Sequence, residues 1–405
     1  MKKYNYIDLF AGCGGLTDGF EQTEKFEPHA FVEWDKNAFN TLKHRLKTKW
    51  NIENVDEKVL YFDMQRMDEL LNGFSEDEEY GEHIGLKKLI DKTDIDLIIG
   101  GPPCQAYSIA GRVQDKDGMK CDYRNYLFEN YLKVVKEFKP KLFVFENVQG
   151  ILSAKPDGIN IIDRIRDDFK KEGYIIATDL KKMALVDSSD YGIPQVRKRV
   201  IIIGVNKNLT NKNPNDILMD FYENILPSLK VDKKVNVKEA IGDLEPLYPI
   251  DENGRKKVSH NNTSTIKNHI PRFHSKRDQD IFAELAEDVQ NGSIKYPDTE
   301  SLKELYFRKT GKQSSFHKYN VLSFDNPSNT IPAHLYKDGL RHIHPDYEQA
   351  RSITPREAAR LQTFDDDFEF IGSMGACYKM IGNAVPPLLS YKIAQSVDIL
   401  LKRYY

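Results

Sequence analysis

Between Tyr4 and Val205, short runs of β-branched and aromatic residues alternate with longer amphipathic stretches. That alternation restricts this part of the chain to an α/β fold: a parallel sheet with helices on both faces. The predicted strands are Tyr4–Phe10, His29–Glu33, Val59–Phe62, Asp96–Gly100, Lys141–Glu146, Tyr174–Leu180 and Val200–Val205. LIIGG and VIIIGV are apolar throughout, as strands covered on both faces must be. Helices are predicted over Lys36–Leu46, Arg124–Phe138 and Asn160–Glu172, with Pro140 and Gly173 ending the last two. Past residue 206 the alternation fails. Segment 206–320 is richer in Asn, Lys, His and Pro, carries one helical pattern at Arg277–Val289, and reads as a small irregular inserted domain. In segment 321–405, Thr354 with Pro355 and Glu357 marks a helix start, and Pro387–Tyr404 is a final helix returning to the 1–205 core.

Composition narrows the partners. The 405 residues hold 59 Lys+Arg against 62 Asp+Glu, a net charge of -3 that excludes a uniformly basic sleeve for nucleic acid. With 40% hydrophobic residues the chain can bury a sizeable core. It has neither a secretory apolar region at its start nor a run of 18 apolar residues, which points to a soluble cytoplasmic protein without a membrane role. The four cysteines, Cys13, Cys104, Cys121 and Cys377, are spaced by 91, 17 and 256 residues. That suits neither zinc nor a disulfide framework, so no metal is expected and any cysteine in use acts as a thiol.

Tyr4–Phe20 reads strand, glycine-rich turn (Gly12, Gly14, Gly15), helix start. The third glycine of the dinucleotide fingerprint is missing, and alone such a turn fits an ordinary βα connection as well as a nucleotide site. Glu33, 21 residues after Gly12 at the end of the second strand, can accept from both ribose hydroxyls. Trp34 can pack on an adenine, and Asp63, after the third strand, can accept from its amino group. Three such groups at successive strand ends favour an adenosine-containing cofactor.

In Asp96–Ser108 a buried strand runs into Gly100-Gly101-Pro102-Pro103 and then Cys104. A lone cysteine is ordinarily a buried apolar residue, but a stiffened loop tip at the carboxyl edge of a sheet is a poor place to bury one. Glu146 and Asn147 close the next apolar strand. An acid there can simply form a turn; it can also be a desolvated carboxyl with raised proton affinity. Thiol and carboxyl together answer one chemical problem. Carbon 5 of cytosine is a weak nucleophile until a thiolate adds to carbon 6, and a protonated carboxyl at N3 stabilises the charge that develops.

At this point the chain resembles the DNA (cytosine-5) methyltransferases over nearly all of its length outside 206–320. DLFAGCGG, Glu33-Trp34, GGPPCQAYS, FENV, Gln195-x-Arg197-x-Arg199, RSITPREAARLQTF and IGNAVPP occur in the family's order. The resemblance implies a Rossmann-like S-adenosylmethionine-dependent methyltransferase sheet with an inserted target-recognition domain. It makes Cys104 the nucleophile, Glu146 the holder of the N3 and amino edge, and Arg199 a contact to the base O2, with Gln195 and Arg197 supporting the catalytic loop. S-adenosylmethionine, leaving as S-adenosylhomocysteine, falls to Phe10, Gly12, Gly14, Glu33, Trp34, Asp63, Leu127 and Asn383. Residues from Gln105 to about Tyr123 are the loop expected to close over DNA. The implied partner is double-stranded DNA bearing a short recognition sequence, with a companion restriction endonuclease acting separately and the enzyme a monomer.

Arg255–Arg277 carries seven Lys/Arg, three His and no acid, and Lys303–Lys318 has five Lys/Arg against one Glu. A charge run is often only a solvated face; in this position the resemblance makes it the recognition region. Arg272, Asn261, Asn262 and Asn268 are then the expected base readers and Lys267 and Lys276 phosphate contacts, while the acids at Glu76–Glu82 and Asp365–Glu369 are expected to face away from DNA. Three other readings compete. The long insertion disfavours a tRNA-cytosine branch of the family, intact Cys104, Glu146 and Arg199 disfavour a non-catalytic DNA-binding relative, and the absent third glycine disfavours a nicotinamide dehydrogenase.

Overall fold

The computed structural model describes residues 3–103, 127–155, 158–250, 258–313 and 319–405. The chain forms two compact units. The first comprises Met1–Tyr191, Lys198–Asp232 and Ala384–Tyr405; the second comprises Gly192–Arg197 and Lys233–Asn383. These boundaries differ from those expected at 206 and 320. Residues 206–232 stay with the first unit because Tyr222 is buried there, its hydroxyl accepting from Ile203 N at 2.9 Å and donating to Ile201 O at 2.8 Å. Residues 321–383 belong to the second.

The first unit is built on one sheet. Its strands in chain order are β1 (Tyr4–Leu9), β2 (Phe26–Glu33) and β3 (Val59–Tyr61); then a separate hairpin, β4 (Phe74–Asp77) with β5 (Gly81–His83); then β6 (Leu97–Gly100), β7 (Leu142–Val148), β8 (Tyr174–Ile175), β9 (Leu185–Asp187) and β10 (Lys198–Asn206). The spatial order is β3-β2-β1-β6-β7-β10-β8, with β9 beside β10. From β3 to β7 every pairing is parallel, so Leu9, Glu33, Tyr61, Gly100 and Val148 end at one edge. The order turns back at β1, whose two neighbours β2 and β6 continue in opposite directions. That leaves a crevice beyond the carboxyl ends of β1 and β6, the usual ligand position in such sheets. Tyr131, on the helix Leu127–Phe138, sets its buried hydroxyl 2.9 Å from Ile98 O and 3.0 Å from Val144 O, fastening that helix to β6 and β7.

The expected parallel sheet is present from β3 to β7 in spatial order, and β10 adds an antiparallel strand: it pairs with β7, Arg199 opposite Val148 and Val205 opposite Leu142. The connection explains this, since β10 follows β9 and runs back along it as an antiparallel partner. The run expected as Tyr174–Leu180 shortens to β8 followed by a helical turn at Leu180–Met183. The acidic stretch Glu76–Glu82 is not a plain loop: Asp77 accepts from Glu79 N and Tyr80 N and pairs with Arg66 at 2.6 Å, closing the β4–β5 hairpin. The C-terminal helix Pro387–Tyr404 returns to the sheet unit as expected. It lies so close to the helix Gly15–Glu21 that a Cβ at Gly19 would sit 2.4 Å from Tyr391 N and 2.5 Å from Pro387 O.

The second unit has little regular pairing beyond isolated bridges such as Gln195–Ser328 and Val321–Ile343. Its helices include Lys276–Asn291, Thr299–Thr310, which lacked a clear sequence pattern, and Pro355–Leu361, which Thr354 and Glu357 cap reciprocally as expected. Buried charge holds the irregular chain. Arg351 meets Glu357 through two bonds of 2.7 and 2.6 Å, both side chains 1% exposed, and Arg356 donates to the carbonyls of Lys267, Asp365 and Phe368. Each buried carbonyl without a ladder partner needs such a donor.

The units should answer pH oppositely. Burial lowers His260 and His344 to about 4 and His274 to about 3. The unfolded chain therefore takes up protons near 6.5 that the folded second unit refuses, and stability present above that value is lost as pH falls toward 4. In the first unit burial raises Asp8 to about 8 and Glu21 and Glu33 to about 7. Their protonated forms favour folding, a contribution lost as pH rises from about 4 to 8. Hydrogen exchange at pH 8 and pH 5.5, corrected for intrinsic rates, should show protection falling in 233–383 and rising around β1 and β2; parallel changes in both units would contradict this.

Candidate active site

The carboxyl edge of the sheet collects the residues expected to bind the cofactor. Phe10 turns the chain after β1 with φ of 59° and Gly12 continues with φ of 60°, a conformation that favours glycine. Nothing lies within 4 Å of the position a Gly12 Cβ would take, so the turn faces open space rather than packing. Glu33, 7% exposed, accepts from Gly12 N at 2.8 Å through one oxygen and from Asp35 N at 2.7 Å through the other. Burial pushes its carboxyl up to about 7 against those bonds and a third from the Trp34 backbone. The carboxylate thus splints the glycine turn to the start of the helix Lys36–Thr48. Trp34 follows, 52% exposed, an unusual state for so large an apolar surface. Asp63 lies beyond β3, where it accepts from Gln65 N at 2.9 Å. Leu127 opens the helix after β6 and is buried.

These groups suit an adenosine-containing cofactor: an open glycine turn, a buried acid, an exposed indole and a second acid at neighbouring strand ends. Asn383 is placed differently. It is exposed and ends the helix Met374–Asn383 of the second unit. One residue escaped the sequence reading. Asp8 is fully buried in β1, accepts from the Thr17 hydroxyl at 2.6 Å, and leaves its second oxygen without a partner. Its signal was an acid inside the apolar run YIDLF.

The chemical end of the edge lies at β6, β7 and β10. Cys104 and the 105–123 loop lie outside the described residues; the stiffened segment before them, Gly100–Pro103, lies within. Asn147 Nδ2 donates to Pro102 O at 3.3 Å. A Cβ at Gly101 would stand 2.8 Å from Glu146 Oε2, so glycine there makes room for the carboxylate. Arg199 Nε donates to Glu146 Oε1 at 2.9 Å, with both side chains 12% exposed. Burial lowers the Arg199 pKa, and the facing carboxylate opposes that shift.

Gln195 and Arg197 do not join this pair. Gln195 is fully buried in the second unit, donating to Leu361 O and accepting from Ile331 N. Arg197 donates to Ile331 O at 2.9 Å and Gly382 O at 2.7 Å. Both hold backbone together. Among the described residues no three His, Cys, Asp or Glu are grouped to hold a metal, and no helix is long and apolar enough to cross a membrane.

Comparison with known proteins decides the family. The model for C-5 cytosine-specific DNA methylases matches residues 4–75 and 76–398. The chain belongs to the C-5 cytosine-specific DNA methylase family. A type II methyltransferase of Bacillus paralicheniformis, M.Bpa9945I, is 33% identical over 98% of this chain and 99% of its own length. M.DdeI of Desulfomicrobium norvegicum is 30% identical, covering 97% of this methylase and 88% of the relative. Among solved structures, a prophage-encoded DNA modification methyltransferase from E. coli superposes with a TM-score of 0.67 at 25% identity over 99% of this chain and 100% of the other. The S. pombe Dnmt2 methyltransferase, at 15% identity, shares the fold with a TM-score of 0.51 over 99% of each chain.

The side chains expected to read DNA in this methylase are mostly engaged within the second unit. Asn261 accepts from Tyr248 N at 2.7 Å, Asn268 points its amide at Cys377 Sγ, and Arg272 donates to Leu335 O while lying over the Tyr378 ring. Lys267 pairs with Glu369 and Lys276 with Asp280. The basic stretch therefore touches one of the acids expected to stand away from it. Asn262 is exposed; Arg255, Lys256, Lys257 and Lys318 lie outside the described residues.

Replacing Arg197 by Met, close in size, leaves two buried carbonyls without donors, at a cost of about 1–3 kcal/mol each. Urea unfolding should show a loss of at least about 2 kcal/mol. Unchanged stability with lost methylation would instead make Arg197 a participant in the chemistry.

Proposed function

We propose that this family member is a DNA (cytosine-5-)-methyltransferase that extrudes its target base and uses Cys104 as the nucleophile. The observation that carries this reading is the Glu146–Arg199 pair, walled by Gly101 and lying at the end of the strand beside the segment that leads to Cys104. A stacked cytosine exposes neither face of carbon 6, so the base leaves the duplex at a cost of a few kcal/mol. The Cys104 thiolate adds to carbon 6, the displaced electrons pass through carbons 5 and 4 to N3, and Glu146 supplies a proton there. Arg199 donates to O2, steadying the negative charge on the ring. Carbon 5 is then an enamine carbon. S-adenosylmethionine, when bound, supplies a methyl group activated on a sulfonium. Once carbon 5 carries the methyl, water takes the carbon 5 proton, N3 returns its own to Glu146, and the carbon 6–sulfur bond breaks to release the Cys104 thiolate and restore the ring.

Glu33, Trp34, Asp63, Leu127 and the Phe10–Gly14 turn hold the adenosine part. The protein acts in the cytoplasm as a monomer on double-stranded DNA, its methylation protecting host DNA from a companion restriction endonuclease that works separately. Recognition of the short target sequence resides in the second unit.

Cys104→Ser should lower methylation at least about a thousandfold, the scale on which a lost nucleophile is felt, because a hydroxyl stays protonated at neutral pH. Its affinity for S-adenosylmethionine by calorimetry should be unchanged. A duplex with 5-fluorocytosine at the target should trap the native protein covalently and not the variant; efficient methylation by the serine form would refute the role. The target is found first, by sequencing methylated cytosines in cells expressing the chain. Exchanging residues 233–383 for those of a relative with another target should move the methylated sequence, and an unmoved sequence would place recognition elsewhere.

A further inference from the structure

Glu146 has two tasks in the proposed reaction that conflict in the free protein. It must carry a proton to serve N3, yet its carboxylate accepts from Arg199 Nε at 2.9 Å in a pocket where both side chains are nearly buried. A guanidinium at that distance favours the ionised carboxyl. β6 ends in Gly100 and Gly101, which bring no ionisable group, and the Gly101 backbone leaves room only because it lacks a Cβ. On β10 the other charged residue at this end, Lys198, is exposed. The Cys104 thiol, three residues past Gly101, lies outside the described residues. Arg199 Nη1 donates to Lys198 O at 2.8 Å.

We infer that Arg199 is a proton gate for Glu146: the ion pair keeps the carboxylate charged until an extruded base competes for the guanidinium, and only then does the carboxyl take up a proton. The base O2 is the competing acceptor. As it draws the guanidinium away, the carboxylate loses its compensating charge in a desolvated site and binds one proton from solvent. That proton bridges to N3 and passes to it when the thiolate adds at carbon 6; it returns when the ring is restored, so the gate resets without net consumption. The gate also suppresses a side reaction. Without a base in place, Glu146 stays ionised and no acid is available to assist addition at the wrong ring.

This inference rests on the methyltransferase reading, and the test separates the two. Cys104→Ser protein carrying S-adenosylhomocysteine is titrated at pH 7 with a duplex holding a mismatched target cytosine, and with the same duplex abasic at that position, in buffers of different ionisation enthalpy. Cys104→Ser removes the thiol proton from the balance. The cytosine duplex should bind with uptake of about one proton more than the abasic one. Arg199→Ala in the same background should bring that difference close to zero, since its Glu146 is already neutral, and Glu146→Gln should also give zero. No difference between the duplexes, or full uptake in Arg199→Ala, overturns the gate. Should Arg199→Ala fail to bind S-adenosylhomocysteine and so be misfolded, Arg199→Lys serves: it keeps a cation and must keep the uptake, and its loss there overturns the gate too. Failure of the native protein to be trapped by 5-fluorocytosine overturns the methyltransferase reading itself.

Discussion

Parallel pairing on both sides of β1 is the constraint from which the rest follows. β2 and β6 flank it as parallel partners, and because β3, β2, β1, β6 and β7 run one way, every βα connection that follows them emerges at one edge. Five chain segments separated by up to about 140 residues in sequence thereby meet over one crevice. An arrangement that no single segment carries, an open glycine turn beside a buried acid at one side and a carboxyl and guanidinium at the other, becomes possible. Ala384–Val385 approach closely at Gly15 and the C-terminal helix at Gly19, so that the end of the chain packs on the helix after its first turn.

Arg199 reaches Glu146 through the one strand that breaks the rule. β10 begins beside the end of β7 because it is antiparallel to it. Had it been parallel, Arg199 would stand at the opposite edge, about 20 Å away over the seven residues of β7. The reversal thus converts a basic residue next to Arg197 in sequence into a partner of the carboxyl, while Arg197 itself turns into the second unit. Residues of one Q-x-R-x-R motif serve two purposes: Gln195 and Arg197 satisfy buried carbonyls, and Arg199 neutralises a buried acid.

The second unit solves a different problem. With few strands to pair its backbone, it buries arginines and histidines as donors and acceptors for main-chain groups. Arg351, Arg356, His260 and His269 all act in this way. Such bonds are costly to break in a dry interior. They also consume side chains that look from the sequence like a nucleic-acid surface. Arg272 and Asn261 are basic or amide groups in a segment without acids, yet both are fastened internally.

The sequence by itself determined the sheet, most helix positions and the strand-end residues, because alternation, glycine turns and caps are local signals whose meaning depends on nearby residues. Lys36–Thr48 and Pro387–Tyr404 lie close to their predicted spans. Glu33, Trp34 and Asp63 could be named as a group because a parallel sheet puts consecutive strand ends on one edge. The direction of β10, the extent of the second unit, the pairing of Glu146 with Arg199, and the buried fates of Arg197, Arg272 and Asn261 were decided only by tertiary structure. Which partner a long polar side chain takes depends on groups brought together from distant parts of the chain, and neither charge nor spacing in one dimension records that choice.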